Sequence, residues 1–482
     1  MSRTSTDLGH NQIPWATRNL GIGLHHDPDG GAERLRSARL PITALVQPGV
    51  RHNNRRRAHL LVSTVLGKHL PTDPRVVLGA GDQLGDLVRA VLGDREAVVL
   101  GFAETATGLG HCVAARIGAH CYLHSTRRAV PHAPTLAGFE EGHSHATSHL
   151  LQPAPADIFV NDLPLVLVDD EISTGATAID AVRALHAFAP RAHYVLASLV
   201  DLRAEADRAE FDAAAAELGA RIDTVCLATG RASLPPGLVD AVRALPEPRL
   251  NPTAGQAGSF GRVEIPWPAA VPEGGRHGIL AADAEAFETA LLDAGQVLSA
   301  RLAADFPGRA VIVLGHEELM YLPLRLAVLL ADSGTPTRFQ TTTRSPAYVL
   351  DEPGYPLRRG FRFIAPEPGD TAPRYLYNAQ WPGTLDRFEA DPALLVAPPF
   401  GADAAITDDS VDSGAEGDAP ATDPVLVVVV DSPADTAELM AEHGLVDVLT
   451  ASGADVLLAV LPEADPRRLH AERAQAARGS RA

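Results

Sequence analysis

From residue 75 the chain alternates short apolar runs with amphipathic stretches. Arg75 to Leu78 reads as a strand, Gly79-Ala80-Gly81 as a turn and Asp82 to Leu92 as a helix. Glu96 to Gly101 is a second strand. The loop Phe102 to Gly108, the helix Leu109 to Ile117 and a third strand, His120 to His124, follow. Leu163 to Val168 and His193 to Leu199 add two more strands around a helix that starts at Ala178. Such alternation predicts an α/β fold: a parallel sheet with helices on both faces. Ligands of these sheets bind outside the carboxyl ends of the strands, where all these loops fall. Upstream, Leu60, Leu61, Val65 and Leu66 have helical spacing, ended by Lys68-His69-Leu70-Pro71.

Beyond Leu250 the texture changes. Residues 251–278 are rich in Gly and Pro and read as a linker. A helix from Asp283 to Asp305 opens a second α/β domain. Ala310 to Leu314 is a strand, Gly315-His316-Glu317-Glu318 turns into a helix reaching Leu330, and Thr337 to Thr342 is strand-like. Val425 to Val430, a helix Thr436 to His443 and the strand Asp455 to Leu461 complete the layer. Residues 402–424 are acidic and small, the composition of a disordered insertion. The expected organisation is an N-terminal tail (1–38), a first α/β domain (39–250), a linker (251–278), a second C-terminal α/β domain (279–465) and a C-terminal tail (466–482).

Composition narrows the function. The 482 residues are 46% hydrophobic and 21% charged, values of a globular chain of two to three domains. A net charge of −19 argues against nucleic acid or anionic membranes as partners. No apolar run spans a bilayer, and the N-terminus lacks a signal-peptide core. Three cysteines make no disulfide framework, so a reducing, cytoplasmic setting is expected. His111-Cys112 and His120-Cys121, with His124, lack zinc spacing and read as core. The spacing in Gly79-Ala80-Gly81-Asp82-Gln83-Leu84-Gly85 is wrong for a dinucleotide fingerprint. The run Arg51 to Arg57 is either a solvated helix start or a basic patch facing an anionic ligand.

One stretch carries chemistry. In Leu165 to Thr177 an apolar strand ends in Asp169-Asp170, a loop Ser173-Thr174-Gly175 follows, and a helix starts at once. Carboxylates there can hold sugar hydroxyls or a hydrated Mg²⁺. A loop opening a helix offers backbone N–H groups and a positive dipole end to a phosphate. Simple helix capping needs neither two acids nor the Gly-x-Thr step. A ribose carrying a phosphate at one end and hydroxyls at the other fits, as in phosphoribosyl pyrophosphate (PRPP).

The Asp169 to Thr177 segment resembles the PRPP-binding motif of type I phosphoribosyltransferases. With Gly315-His316-Glu317-Glu318, Thr343-Arg344-Ser345-Pro346 and Tyr377-Asn378 downstream, the chain resembles the phosphoribosyltransferases of bacterial tellurite-resistance (Ter) stress operons. In those, a transferase domain precedes a domain named after its TRSP motif. The resemblance implies the type I fold and transfer of phosphoribose to, or its release from, a base-like acceptor in a stress-response nucleotide pathway, with Mg²⁺ bound through PRPP.

It further implies that Asp169 and Asp170 are catalytic and that Ser173, Thr174, Gly175, Ala176 and Thr177 hold the 5′-phosphate. Ala103, Glu104, Thr105, Arg127 and Arg128 would face pyrophosphate. The segment 129–162 would be a hood closing over PRPP, with Glu141, His143, Ser144 and His145 contacting ligand; its His-Ser-His triplet is also a conceivable metal site. Hood lysines found in orotate-type enzymes are missing between Arg128 and Asp169, and the nearest lysine is Lys68, which argues against orotate.

In the second domain, Arg344 and Ser345 are candidates for a phosphate or carboxylate clamp, and Glu317 and Glu318 for Mg²⁺ or proton transfer. A capped helix with a surface salt bridge explains those residues equally well. Two alternatives stay open beside the enzyme: a PRPP-sensing regulator, and a bifunctional enzyme whose second domain modifies the product. Many relatives dimerise, so a homodimer is compatible with this reading.

Overall fold

The computed structural model describes residues 13–27, 35–52, 54, 57–130, 133–140, 148–382 and 423–479. In chain order the strands of the first half are β1 (Gly23–His26), β2 (Leu35–Ser37), β3 (Val46–Val50), β4 (His59–Ser63), β5 (Val98–Gly101), β6 (Cys121–His124), β7 (Ala137–Glu140), β8 (Ser148–Leu151), β9 (Leu165–Ile172), β10 (His193–Asp201) and β11 (Arg221–Ser233). The second half adds β12 (Phe260–Glu264), β13 (Ile279–Leu280), β14 (Val311–Gly315), β15 (Thr337–Thr341), β16 (Gly360–Phe363), β17 (Arg374–Tyr377), β18 (Val425–Asp431) and β19 (Val456–Leu461).

The larger sheet runs β1-β11-β10-β9-β5-β6-β13, with β2 also on β11. From β11 to β6 every pairing is parallel. The chain goes outward from β5 to β6, then returns to β9 on the other side of β5 and continues to β10 and β11. The order therefore reverses between β5 and β9, and a crevice opens there at the carboxyl edge. A second sheet, β12-β19-β18-β14-β15, is parallel throughout and reverses between β14 and β18.

The two sheets share one apolar core. A single cluster joins Val99, Val166 and Val195 of the first sheet to Val311, Val427 and Leu457 of the second. The helices Pro74–Leu92, Thr107–Ile117, Ala284–Asp305 and Tyr321–Asp332 lie between them. Among the described residues, no helix is long and apolar enough to cross a membrane.

Several local expectations change. The strand and turn expected over 75–81 are the first turns of one helix, Pro74–Leu92. Asp73 caps it, accepting from the Arg75 N–H at 2.9 Å, and Pro74 supplies a preset φ at the first position. Gly81 is not a turn residue. A Cβ there would sit 2.2 Å from the Cys112 Cβ, so the glycine lets two helices approach closely. The helix expected around Leu60 is instead β4, paired antiparallel with β3.

The N-terminal tail contributes β1 and β2 to the large sheet. The segment expected as a linker supplies β12 to the second sheet and buries Glu273, Arg276 and His277. At the C-terminal end, the helix Pro466–Gly479 is tied down by Arg473, which donates to the carbonyls of Ala154, His277 and Gly278. Cys112 and Cys121 are buried, and burial pushes the Cys121 thiol up to about 12. The acidic segment 402–422 lies outside the described residues.

Candidate active site

The crevice between β5 and β9 is a cleft of about 2860 Å³. Small-molecule sites usually occupy roughly 300–1,000 Å³, so this cleft is larger than one small ligand needs. Asp169 and Asp170 line it from the carboxyl end of β9, and Ser173, Thr174, Gly175, Ala176 and Thr177 continue its wall. Gly175 has φ +85° and caps the helix Ala176–Phe188. That left-handed turn opens the helix at the cleft wall, where its first amides have no intrahelical acceptor; the Ala176 N–H meets Thr174 Oγ1 at 3.4 Å. A Cβ at Gly175 would also strike Phe211 at 2.2 Å.

The carboxylates are electrostatically distinct. Arg57 forms a salt bridge with Glu171, while among the described residues no ion pair reaches Asp169 or Asp170. The Asp170 N–H donates to Asp169 Oδ1 at 2.9 Å. Burial, and then the adjacent Asp170 charge, push the Asp169 carboxyl well above the usual carboxylate range. An all-oxygen pair strained by like charge suits a hard cation such as Mg²⁺, which relieves that repulsion. Asp169 and Asp170 thus fit the cation expected with PRPP.

Across the crevice lies the loop after β5. Ala103, Glu104 and Thr105 line the cleft together with Arg127. The Ala103 N–H donates to Ser125 Oγ at 2.9 Å, which hydrogen-bonds His149 Nδ1 at 2.8 Å. Lys68, the only lysine in the chain, donates from Nζ to Thr105 Oγ1 at 2.6 Å. Arg51, Asn54, Arg57 and His59 reach the same cleft from β4 and the segment between β3 and β4, so Arg51 and Arg57 of the arginine run face the crevice. Burial, followed by Arg57 and Arg51, lowers the His59 imidazole to about 4. The basic-patch alternative for the run Arg51 to Arg57 agrees with Arg51 and Arg57 on the cleft wall, whereas Lys68 was not expected there, because Thr105, its partner, is distant in the chain.

Arg128 is placed elsewhere. Its guanidinium meets Asp431 at 2.6 Å, and it approaches Glu367 and Glu463. Asp431 ends β18, and His316, Glu317 and Glu318 follow β14, so Arg128 plugs the point where the second sheet reverses. Arg276 enters the same place and meets Glu318 at 3.4 Å and Glu463 at 3.0 Å. The space left holds about 10 Å³, roughly one water.

Glu317 and Glu318 are therefore buried ion-pair partners and not a surface salt bridge. Two groups there have ligand-like geometry, His316 with Glu317 and Glu367, and Glu273 with Asp431 and Glu463. Arg344 and Arg374 pair with Glu317, and Arg128 and Arg276 with the second group. Those fixed positive charges oppose a metal ion. Arg344 and Ser345 themselves line the large cleft. The hood residues Glu141, His143, Ser144 and His145 lie outside the described residues.

Comparison with known proteins matches residues 45–231 to the family described as phosphoribosyl transferase. Residues 273–449 match the TRSP domain that lies C-terminal to such transferases. Among curated proteins no relative is detected. Solved structures with local similarity include the adenine phosphoribosyl transferase of Trypanosoma brucei in complex with AMP, pyrophosphate and ribose-5-phosphate. It is 15% identical, covers 42% of this chain and 87% of its own, and has a TM-score of 0.33. The adenine phosphoribosyltransferase of Thermoanaerobacter pseudethanolicus is 17% identical over 39% of this chain and 97% of its own, TM-score 0.28. The orotate enzyme of Aeropyrum pernix is 18% identical over 39% and 90%, TM-score 0.24.

Proposed function

The chain is a phosphoribosyltransferase whose transferase domain is followed by a TRSP domain, and on that footing we propose that it moves the phosphoribosyl group between PRPP and a nucleobase-like acceptor. The observation carrying this is the facing of two loops across one crevice. Asp169, Asp170 and the 173–177 turn stand on one side, and Ala103, Glu104 and Thr105 on the other.

Transfer breaks the bond between ribose C1 and pyrophosphate. Positive charge develops on the ribose ring and negative charge on the leaving group. In this reading Asp169 and Asp170 lie against the ribose hydroxyls and oppose the ring's developing charge. The amides of the 173–177 turn and the hydroxyls of Thr174 and Thr177 bind the 5′-phosphate. Lys68, Arg127 and the 103–105 loop receive pyrophosphate. Mg²⁺, held by PRPP oxygens and the Asp169–Asp170 pair, would supply charge neutralisation for the leaving group. The acceptor lies on the open side of the crevice, under Arg51 and His59. Placement in a stress-response nucleotide pathway rests on the resemblance to the Ter-operon enzymes alone.

The test is incubation of the purified protein with PRPP, Mg²⁺ and a panel of bases, followed by pyrophosphate release and mass spectrometry. Base-dependent pyrophosphate release with a ribosylated product supports the reading. Binding of PRPP without turnover for any acceptor would favour a sensor.

A further inference from the structure

The Thr-Arg-Ser-Pro motif of the second half, braced by the two other motifs, meets a single residue of the transferase half. Glu104 is buried, 4% exposed, on the loop after β5. Its carboxylate accepts the Thr343 hydroxyl, and the Arg344 N–H donates to both carboxylate oxygens at 2.9 and 3.0 Å. These partners lie 240 residues away in the chain.

The rest of the motif holds those donors in place. Thr343 exchanges backbone hydrogen bonds with Tyr375 at 2.9 and 2.8 Å, and the Ser345 N–H donates to Thr343 Oγ1 at 3.0 Å. The Tyr377 hydroxyl donates to the Ser345 carbonyl at 2.9 Å. Arg344 is fixed from behind by Glu317 at 2.9 Å and Asp370 at 3.1 Å. Glu317 in turn donates its N–H to Thr342 Oγ1 at 3.0 Å. Gly315-His316-Glu317-Glu318, Thr343-Arg344-Ser345-Pro346 and Tyr377 thus form one rigid bracket.

We propose that this bracket is a positioning device for the pyrophosphate loop of the transferase: the TRSP domain acts in cis, through Thr343 and the Arg344 amide on Glu104, to fix the 103–105 segment in its ligand-ready form. The proposal rests on the reading of the cleft given above and deepens it. It assigns the second domain's Thr-Arg-Ser-Pro motif to the first domain's leaving-group site. A loop whose carboxylate accepts three hydrogen bonds from two donors loses little entropy when pyrophosphate binds, and removing one donor returns that cost to the binding step. The geometry also explains why Arg344 lines the cleft with its side chain already paired: its backbone carries the contact that matters.

The test compares pyrophosphate and ribose 5-phosphate binding by calorimetry in the full-length protein. Thr343→Val removes the hydroxyl while keeping side-chain shape, and Thr343→Ser keeps the hydroxyl. Thr343→Val is expected to weaken pyrophosphate about tenfold or more, with ribose 5-phosphate affinity unchanged and Thr343→Ser close to wild type. If Thr343→Val fails to fold, Glu104→Gln reports on the same contact with the same selective loss. Equal loss for both ligands, or no loss for either, overturns the proposal while leaving the transferase reading intact. A wild-type protein that binds neither ligand overturns the transferase reading and the proposal with it.

Discussion

Asp169 is the residue on which most turns. Its carboxyl is raised because burial and the Asp170 charge both disfavour ionisation. A ligand that needs the carboxylate must expel the proton, so binding of PRPP with Mg²⁺ should strengthen as pH rises and should release a proton wherever Asp169 is still protonated in the free protein. Calorimetry in buffers of different ionisation enthalpy measures that release, and it should vanish in Asp169→Asn. The same shift has a stability consequence. A carboxyl with a raised folded-state value contributes most below its unfolded value and loses that contribution as pH rises through the folded one. Asp169→Asn should therefore gain melting temperature relative to wild type as pH rises, while losing turnover, the usual signature of a group kept for function.

Close packing of elements explains what glycines do here. Gly175→Val adds a side chain at φ +85° and against Phe211, so the turn cannot keep its shape. PRPP affinity should fall at least tenfold by calorimetry, roughly 1.4 kcal/mol. Gly81→Ala should destabilise by about 1–3 kcal/mol in denaturant unfolding, because overpacking against Cys112 outweighs the gain in helix propensity.

These two sites also show how far the sequence could be read. Gly175 was legible because its neighbours in the motif are its neighbours in space. Gly81 looked like a turn because its partner, Cys112, comes from another helix. Asp73-Pro74 marked the true helix start, but Val76 and Val77 mimicked a strand. β12 was hidden for a related reason. Its residues alternate only between partly buried and exposed, as an edge strand rich in polar residues does. In the site, the Asp-Asp loop announced itself, whereas Lys68 and the Glu104 contact with Thr343 depend on long-range closure of the fold.

At the largest scale, one apolar cluster and one buried charge network join the two larger sheets of the described residues. Although burial opposes its charge, Glu318 is held at about 2, by Arg276 first and then His124 and Arg128, against an ordinary 4.5. Its contribution is present above the ordinary value and is lost as pH falls towards the folded one. Glu318→Gln leaves Arg276 under-compensated and replaces one of two acceptor oxygens, which take the Arg127 N–H at 2.8 Å and the Thr126 hydroxyl at 2.7 Å, by an NH₂ donor. It should cost about 3–5 kcal/mol at neutral pH, read from denaturant unfolding. Because the core is continuous, both halves should unfold in one transition.

The proposed function places the centre of this molecule in the open first-sheet crevice, at the aspartate pair. The most direct measurement of that centre is pyrophosphate release from PRPP by wild type and by the Asp169→Asn, Asp170→Asn double variant, with circular dichroism to follow the fold. The account predicts acceptor-dependent release by wild type and a loss of at least a hundredfold in the variant, with an unchanged spectrum. Equal release by the two proteins would contradict it.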